Sequence, residues 1–427
     1  MSDAALIELI DTEILAVRGE GALLRTPGYA LLEDGGIETG AAALAKAWLY
    51  PQRSFNQFWR QLTLAPLPAN HRHARHYADL AFAQLRQIHA DLGAPAQMLF
   101  ALPGNFSRDQ LSILLGLANA LPATTLGMVD SAVAAASTLA HSGDLVHLDM
   151  QLHQTVITHL RADEQVSRVA VEVVPDSGLK AFHGAWAQYI ADQFIQQYRY
   201  DPLHQARDEQ QLHDRLPGWL DALAHGDQVS AELATGRGNF RLTLSPGALA
   251  AQTAERVNRL RQALDKFPPQ ALRVASYRLE RLPGLGEALG IQILKEQQTL
   301  QGCRAALSLL AQQGSVAFVT ELPRNGAGAA AAPVDGTATV SGAPSHLLLR
   351  SRAYAIAGGI GVARGANGLA ITRVRGDALV WLDDKFRLEM APGVAVNTRA
   401  AGDTVASGDS FVLDGERLSL IEVRPES

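Results

Sequence analysis

The 427-residue sequence lacks the features that identify several common classes of protein. It contains one cysteine, Cys303, which excludes an intramolecular disulfide framework and fits a reducing compartment. The formal net charge is −6, so no basic excess favours a nucleic-acid partner. There is no run of about 18 apolar residues of the kind that spans a membrane, and the first residues include acids where a signal peptide needs a basic start. We therefore expect a cytoplasmic protein without a membrane span.

What the sequence does contain is an alternation of strand and helix patterns. Hydrophobic residues make up 47% of the chain, enough for sizeable cores. Residues 98–102 form an apolar run closed by a Pro-Gly pair, and Ser107 then precedes a helical pattern. Residues 126–129 read as a second strand, Asp130 opens an alanine-rich helix, and residues 146–160 alternate like a hairpin strand. This order predicts an α/β layer architecture.

Several residues of this block match a known pattern. Pro103, Phe106 and Gln110 stand where the strand-to-helix motif of the 70-kDa heat-shock chaperones has Pro, Phe and Gln. Asp130 and the alanines at 134–136 match that family's Glu-Pro-Thr-Ala-Ala-Ala segment. The block thus resembles the second lobe of the actin, sugar-kinase and heat-shock-chaperone ATPase superfamily. The resemblance extends over most of residues 4–320 and implies a two-lobed actin-like ATPase fold with duplicated ribonuclease-H-like lobes.

The resemblance implies one region of the chain, and the composition predicts two more. Residues 1–320 form the ATPase-type domain, residues 321–344 a linker rich in Gly, Ala and Pro, and residues 345–427 a small all-β domain with short alternating strands. The closing strands resemble a forkhead-associated domain. In place of that family's Ser-Arg-x-His this chain has Thr-Arg-Val-Arg at 372–375, without the His. The candidate partner-binding residues there are Arg373, Arg375 and Asn397.

The resemblance implies three glycine-rich turns around Mg-ATP, because backbone N–H groups cradle phosphates only where no side chain blocks the approach. The family's first turn reads Asp-Leu-Gly-Thr-Thr, whereas residues 8–12 read Glu-Leu-Ile-Asp-Thr. The second reads Asp-x-Gly-Gly-Gly-Thr, whereas residues 149–154 keep only the Asp. The adenosine turn at 277–283 keeps its Arg and Pro and loses both glycines. None of the three windows contains a Gly-Gly pair.

These losses predict a heat-shock-chaperone-like pseudo-ATPase that acts as a protein-binding scaffold or adaptor, with no cofactor and no catalytic residue. A scaffold of this kind predicts that side chains fill the cleft. Two alternatives remain open: an ATP-binding chaperone-like protein with an unorthodox cleft, and a phosphopeptide-binding module carried on an actin-like support. The residues expected at the vestigial nucleotide cleft are Glu8, Asp11, Asp149, Gln151, His153, Gly178, Lys180 and Arg278.

Other conspicuous residues have simpler interpretations. His73 and His76 share a helical spacing that metal ligands use, but we expect an exposed helix start there. Cys303 is expected to be buried filler, and His213 a surface residue, because no Gly-x-Ser-x-Gly motif accompanies it. A helix over residues 55–62 would place its aromatic side chains in the core.

Overall fold

The computed structural model of the chain describes residues 3–311, 316–324, 345–349, 352–356, 358–365, 368–383, 385–391, 394, 410–413 and 416–421. The chain divides into two compact units, Met1–Ala329 and Ala330–Ser427. Most of the predicted linker, residues 325–344, lies outside the described residues. Residues 321–323 of that prediction form an edge strand of the first unit.

The described residues contain both helices and strands throughout the first unit and strands in the second. The helices are α1 (Ala41–Leu44), α2 (Tyr77–Asp91), α3 (Arg108–Asn119), α4 (Ser131–Ala136), α5 (Leu179–Tyr198), α6 (Ala206–Ala224), α7 (Pro246–Leu264), α8 (Leu285–Leu289) and α9 (Gln298–Ala311). The strands are β1 (Ala5–Glu8), β2 (Ile14–Arg18), β3 (Leu24–Thr26), β4 (Ala30–Glu33), β5 (Gly36–Thr39), β6 (Ser54–Phe55), β7 (Pro66–His71), β8 (Ala74–His76), β9 (Gln97–Leu102), β10 (Thr124–Asp130), β11 (Gly143–Met150), β12 (Gln154–Ala162), β13 (Gln165–Pro175), β14 (Val229–Thr235), β15 (Gly238–Leu244), β16 (Leu272–Ala275), β17 (Gln292–Ile293), β18 (Phe318–Val319), β19 (Glu321–Pro323), β20 (His346–Leu349), β21 (Arg352–Ala355), β22 (Ile360–Gly365), β23 (Gly368–Thr372), β24 (Val380–Leu382), β25 (Leu388–Met390), β26 (Ser410–Leu413) and β27 (Glu416–Ile421). The predicted α/β class is confirmed.

Two six-stranded sheets of the first unit share the arrangement of five of their strands. The first sheet has the order β18-β10-β9-β1-β2-β3, and the second has the order β17-β16-β11-β12-β13-β19. In each sheet three consecutive strands form an antiparallel meander (β1-β2-β3 and β11-β12-β13). Two later strands then add in parallel beside the first strand of the meander (β9-β10 and β16-β17). The same strand scheme therefore occurs twice in succession.

A shared core joins the two sheets. It contains apolar side chains from both sheets together with α4 and α9. The two helices cross at Gly302, where a Cβ would lie 1.8 Å from the carbonyl oxygen of Ala134. Alanines on α4 and glycine on α9 thus allow close backbone contact. Separate cores cover the outer faces, one over the first sheet and one over the second.

Local sequence patterns predicted many of these elements. Helices at 107–119, 179–198 and 246–264 and the hairpin at 30–39 are confirmed. The expected helix over 55–62 is wrong: the chain forms β6 and then turns, although Phe58 and Trp59 are buried as expected. The block around residues 98–160 also belongs to both sheets, because β9 and β10 lie in the first and β11 and β12 in the second.

The second unit is built from antiparallel strands. One sheet has the order β21-β20-β27-β26, and the other has the order β23-β22-β24-β25. A single hydrophobic core contains residues from both sheets, among them Leu347, Leu418, Val362 and Leu388. The described part of this unit therefore forms two sheets around one core.

Candidate functional site

Two β-turns of the first unit contact each other directly. The first turn, residues 9–13, follows β1, and the second turn, residues 151–153, follows β11. Oδ1 of Asp11 accepts a hydrogen bond of 2.8 Å from the backbone N–H of Leu152. The hydroxyl of Thr12 donates to the carbonyl oxygen of Met150, also at 2.8 Å. Side chains of the first turn thus form hydrogen bonds with backbone groups at the second turn. These distances leave no space for a ligand between the bonded atoms.

Two glycines permit this close packing. The N–H of Gly28 donates to the carbonyl oxygen of Asp11 at 2.7 Å, and a Cβ on Gly28 would lie 2.9 Å from the Cβ of Asp11. Gly178 precedes α5, and a Cβ there would lie 2.4 Å from the backbone nitrogen of Gln154. Gly178, predicted on the adenosine side of a nucleotide cleft, therefore packs against the second turn.

Arg278 extends from the second sheet to the first turn. It lies in a short 3₁₀ helix, Tyr277–Arg281, directly after β16, and is 1% exposed. Its guanidinium donates to both carboxylate oxygens of Glu8, at 3.0 and 3.2 Å. It also donates to the carbonyl oxygen of Glu13, with the shorter bond at 2.6 Å. Glu8, at the end of β1, is likewise 1% exposed, so the ion pair is fully buried.

The charges around this pair are balanced locally. Burial opposes the charged form of Arg278, but Glu8 holds the pKa of the guanidinium above its ordinary value. Tyr277 and Arg281 both donate to the carboxylate of Glu13, so three residues of one short helix, with Arg278, hold the first turn. Burial raises the pKa of Asp11 to about 6, even though the Leu152 N–H and the nearby arginines favour its charged form.

His153 of the second turn makes a further bridge to the first half of the unit. Its Nε2 lies 3.1 Å from the carbonyl oxygen of Asn56 and 2.9 Å from that residue's Oδ1. A carbonyl oxygen only accepts, so Nε2 carries the proton. Burial, together with the positive charge of Lys180, lowers the pKa of His153 to about 4. The neutral imidazole is therefore the bridging species.

A third contact joins the segment after α1 to helix α6. The indole ring of Trp48 stacks on the imidazole of His213 with 3.8 Å between ring centroids and 12° between planes. Gln210 accepts from the N–H of Trp48 at 2.9 Å and donates to the carbonyl of Leu44 at 3.2 Å. Lys180 Nζ lies 5.8 Å from the Trp48 ring centroid. His213, expected at the surface, instead forms part of this contact.

Asp149 lies two residues before the second turn and faces the shared core. It is 2% exposed, and its Oδ2 accepts from the hydroxyl of Ser131 at 3.2 Å. His147 Nδ1 lies 3.5 Å from the same oxygen. Asp130 lies one residue before Ser131, caps α4 and pairs with Arg168 at 2.8 Å. The charge of Asp149 also favours the charged form of Arg278 and adds to the rise in the pKa of that guanidinium.

A small cavity remains beside the contacting turns. Its volume is about 240 Å³, below the roughly 300 Å³ at which small-molecule pockets begin. Gln151 borders it and donates to Asn105 at 3.2 Å, while Gln154 donates to Gln151 at 2.8 Å. The residues around it are Leu9, Asp11, Trp59, Arg60, Pro103, Asn105, Phe106, Gln110, Gln151, Gln154 and Val173.

The candidates of the second unit are engaged within that unit. The guanidinium of Arg373 donates to the carbonyl oxygens of Gly359 at 2.7 Å and Ala355 at 2.6 Å. Arg375 forms a bidentate pair with Glu389. Asn397, the third candidate, lies outside the described residues. The two arginines therefore brace strands and turns of the second unit.

The surroundings of His76 and Cys303 account for both residues structurally. Within the described ranges no group of three or more His, Cys, Asp or Glu residues is arranged to bind a metal ion. His76 begins α2 and makes a capping-box contact with Asp79, as expected for a helix start. Cys303 is fully buried, and burial raises the pKa of its thiol. In the same described part, no helix is both long and apolar enough to cross a bilayer.

The sequence pointed to both partners of the Arg278–Glu8 pair but to only one side of the other bridges. Asp11, His153 and Arg278 were named, but the residues that receive them across the structure, such as Glu13 and Asn56, carry no motif. Trp48 and Gln210 likewise lie in segments without a chemical signature. Only their positions in space reveal them.

Known proteins provide no family assignment for this arrangement. No protein-family model matches the chain, and no curated protein sequence matches it. The contacting turns and their buried ion pair are therefore the main observations that bear on function.

Proposed function

We propose that the first unit is a two-lobed actin-like ATPase fold of the heat-shock-chaperone type. Two features support this proposal. The five-strand scheme of a meander plus two parallel strands occurs twice, as a duplicated ribonuclease-H-like lobe would require. The helices α4 and α9 cross between the sheets in backbone contact at Gly302. Each lobe would then contribute one turn, residues 9–13 or 151–153, to the space where the superfamily holds nucleotide.

The proposed function is that of a pseudo-ATPase serving as a cytoplasmic protein-binding scaffold. The observation that carries it is the buried pair between Arg278 and Glu8. In the proposed fold these residues occupy the adenosine turn and the first phosphate turn, so the ion pair spans the nucleotide position. The hydrogen bonds from Leu152 to Asp11 and from Thr12 to Met150 fill the rest of it. Opening this space for ATP would leave a buried charge unpaired, which costs about 3–5 kcal/mol.

Protein binding is supported by an open sheet edge on β13. Strand β19 pairs only with residues 165–167 of β13, and no other described strand pairs with the remaining residues on that side. Val169 and Val173 on this edge are 57% and 39% exposed. An apolar strand edge with free backbone groups is suited to strand addition by a partner peptide.

Calorimetric titration with Mg-ATP and Mg-ADP tests the proposal. We expect no heat of binding and no thermal shift at millimolar nucleotide. A ligand present at 100 times its dissociation constant would stabilise the fold by about 2.7 kcal/mol. A Mg-dependent shift that disappears in Arg278→Ala and persists in the exposed-arginine control Arg25→Ala would place nucleotide in the cleft and contradict the pseudo-ATPase assignment.

The scaffold role has its own test. Val169→Lys with Val173→Lys adds charge to the open edge, whereas Ile195→Lys changes an exposed apolar residue of α5 elsewhere. Proteins that co-purify with the full chain should be lost from the double variant and kept by the control. Equal capture by both variants would rule out the β13 edge as the docking surface.

A further inference from the structure

A separate cavity of the first unit is bordered by three arginines. It has a volume of about 460 Å³ and lies where the end of α5, the start of α6 and the β14–β15 turn meet. Arg199 comes from the residue after α5, Arg207 from the first turn of α6, and Arg237 from the β14–β15 turn. The other residues around the cavity are Tyr200, Asp201, His204, Gln205, Asp208 and Gly236.

The two carboxylates in the cavity wall are already engaged. The hydroxyl of Tyr200 donates to Asp208, which is 5% exposed. Burial and this carboxylate raise the pKa of Tyr200 to about 12, so the donor proton stays in place at neutral pH. Oδ1 of Asp201 accepts from the N–H of Leu203 at 2.9 Å. Neither acid pairs with one of the three arginines in the described structure.

The three guanidinium groups form no ion pair with a described residue. Arg237 lies over the ring of Tyr200, with 5.7 Å from Cζ to the ring centroid. Arg199 and Arg207 make no hydrogen bond or ion pair through their side chains with any described residue. By contrast, Arg241 on the same hairpin pairs with Glu232 at 2.6 Å. The cavity wall therefore carries a net positive charge, three guanidinium groups against the two carboxylates of Asp201 and Asp208.

The backbone conformation of Arg199 is unusual for a residue other than glycine. Its φ is 55°, the left-handed conformation that ends a helix and that glycine adopts without cost. A non-glycine residue there costs about 1 kcal/mol. The chain thus keeps an arginine beside the cavity at a position where glycine would be more stable.

We propose that this cavity binds a dianionic phosphate monoester group, either free or carried on a phosphorylated side chain. Guanidinium groups offer paired N–H donors whose spacing matches two phosphate oxygens. Three guanidinium groups from three segments can approach a tetrahedral phosphate from several sides. A planar carboxylate would contact fewer of them. The cavity shares no residue with the contacting turns, so this proposal is independent of the pseudo-ATPase assignment.

Isothermal titration of the full chain with inorganic phosphate and with a phosphoserine peptide tests the site, with sodium chloride holding the ionic strength constant. The test variant carries Arg199→Gln, Arg207→Gln and Arg237→Gln. The matched control is Arg215→Gln, an exposed arginine of α6 outside the cavity. We expect at least about a tenfold loss of affinity in the triple variant and none in the control.

Each outcome bears on the proposal. Tighter binding of the phosphoserine peptide than of phosphate identifies a protein-borne group as the ligand, and equal affinity identifies a free one. Replacement of the three arginines by lysine should give intermediate affinity, because lysine keeps the positive charge but lacks the paired N–H donors of the guanidinium group. Absence of binding to the wild type, or equal binding by the triple variant, overturns the site. If the triple variant unfolds, Arg207→Gln alone provides the same comparison.

Discussion

Arg278 bonds two segments that are 270 residues apart in the chain. Its guanidinium and the Glu8 carboxylate are both removed from water, and each satisfies the other. A buried pair of this kind adds little stability relative to apolar residues of equal size, but losing one partner is expensive. The same reasoning explains why a ligand that needs this space meets a high barrier.

We predict that Arg278→Met lowers the free energy of unfolding by about 3–5 kcal/mol, because Glu8 is left buried without a counter-charge. Glu8→Leu should restore much of that loss in the double variant. Urea denaturation measures both. The exposed pair Arg25–Glu296 provides the control, and Arg25→Met should cost about 1 kcal/mol or less. A double variant no more stable than Arg278→Met would contradict this account.

Three histidines give the first unit a pH dependence. Burial lowers the pKa of His153 and His183 to about 4 and that of His213 to about 3. The unfolded chain therefore binds more protons below pH 6.5, and stability falls as the pH drops from about 6.5 toward 4. Asp11, with its pKa raised to about 6, acts in the opposite direction between about pH 6 and 4 and offsets one histidine.

We predict a net loss of stability over this range, measured by urea denaturation at a series of pH values. His213→Gln should reduce the slope by up to one proton. An unchanged slope in this variant would mean that His213 titrates normally in the folded chain.

The helix pair α4 and α9 illustrates how whole elements depend on one small residue. The crossing at Gly302 brings two backbones into contact, because the small alanine side chains of α4 let α9 approach closely. The pair lies in the core that both sheets share. Any side chain at the crossing would separate the sheets as well as the helices.

We predict that Gly302→Ala destabilises the fold by about 1–3 kcal/mol, since its Cβ would lie 1.8 Å from the carbonyl oxygen of Ala134. Gly184→Ala is the matched control: this glycine also lies within a helix but has no atom within 4 Å of its Cβ position. The control should gain about 0.5–1 kcal/mol from its better helix propensity. Thermal denaturation distinguishes the two, and equal melting temperatures would refute the tight crossing.

Across the whole chain, the two compact units have separate hydrophobic cores that share no residue. Separate cores favour separate cooperative melting transitions. The first unit contains the contacting turns and the arginine cavity, and the second contains the engaged Arg373 and Arg375. We therefore expect their stabilities to vary independently.

We predict two calorimetric transitions. Leu420→Ala removes a fully buried side chain of the second unit and should lower one transition, whereas Ile157→Ala in β12 should lower the other. Each substitution should cost about 2–5 kcal/mol in its own unit. One transition shifted by both substitutions would show that the units unfold together.

The sequence was sufficient for elements whose stability is local. Ser107 caps α3 with Gln110 three residues later, Asp130 caps α4, and a proline opens α7; each signal acts within one turn of helix. It was insufficient for residues 55–62, where an amphipathic pattern was overridden by the pairing of β6 with β4. The sequence also shows that residues 8–12, 149–154 and 277–283 contain no Gly-Gly pair.

What the residues of these three segments contact depended on the folded chain. The hydrogen bonds between the turns join residues 138 and 141 positions apart, and no local pattern encodes such a pairing. Glu13, Asn56 and Trp48 acquire their roles only because the sheets bring distant segments together. The three arginines of the cavity likewise come from three elements. Local propensity fixes helices and turns, whereas a site made of long-range contacts exists only once the cores have packed.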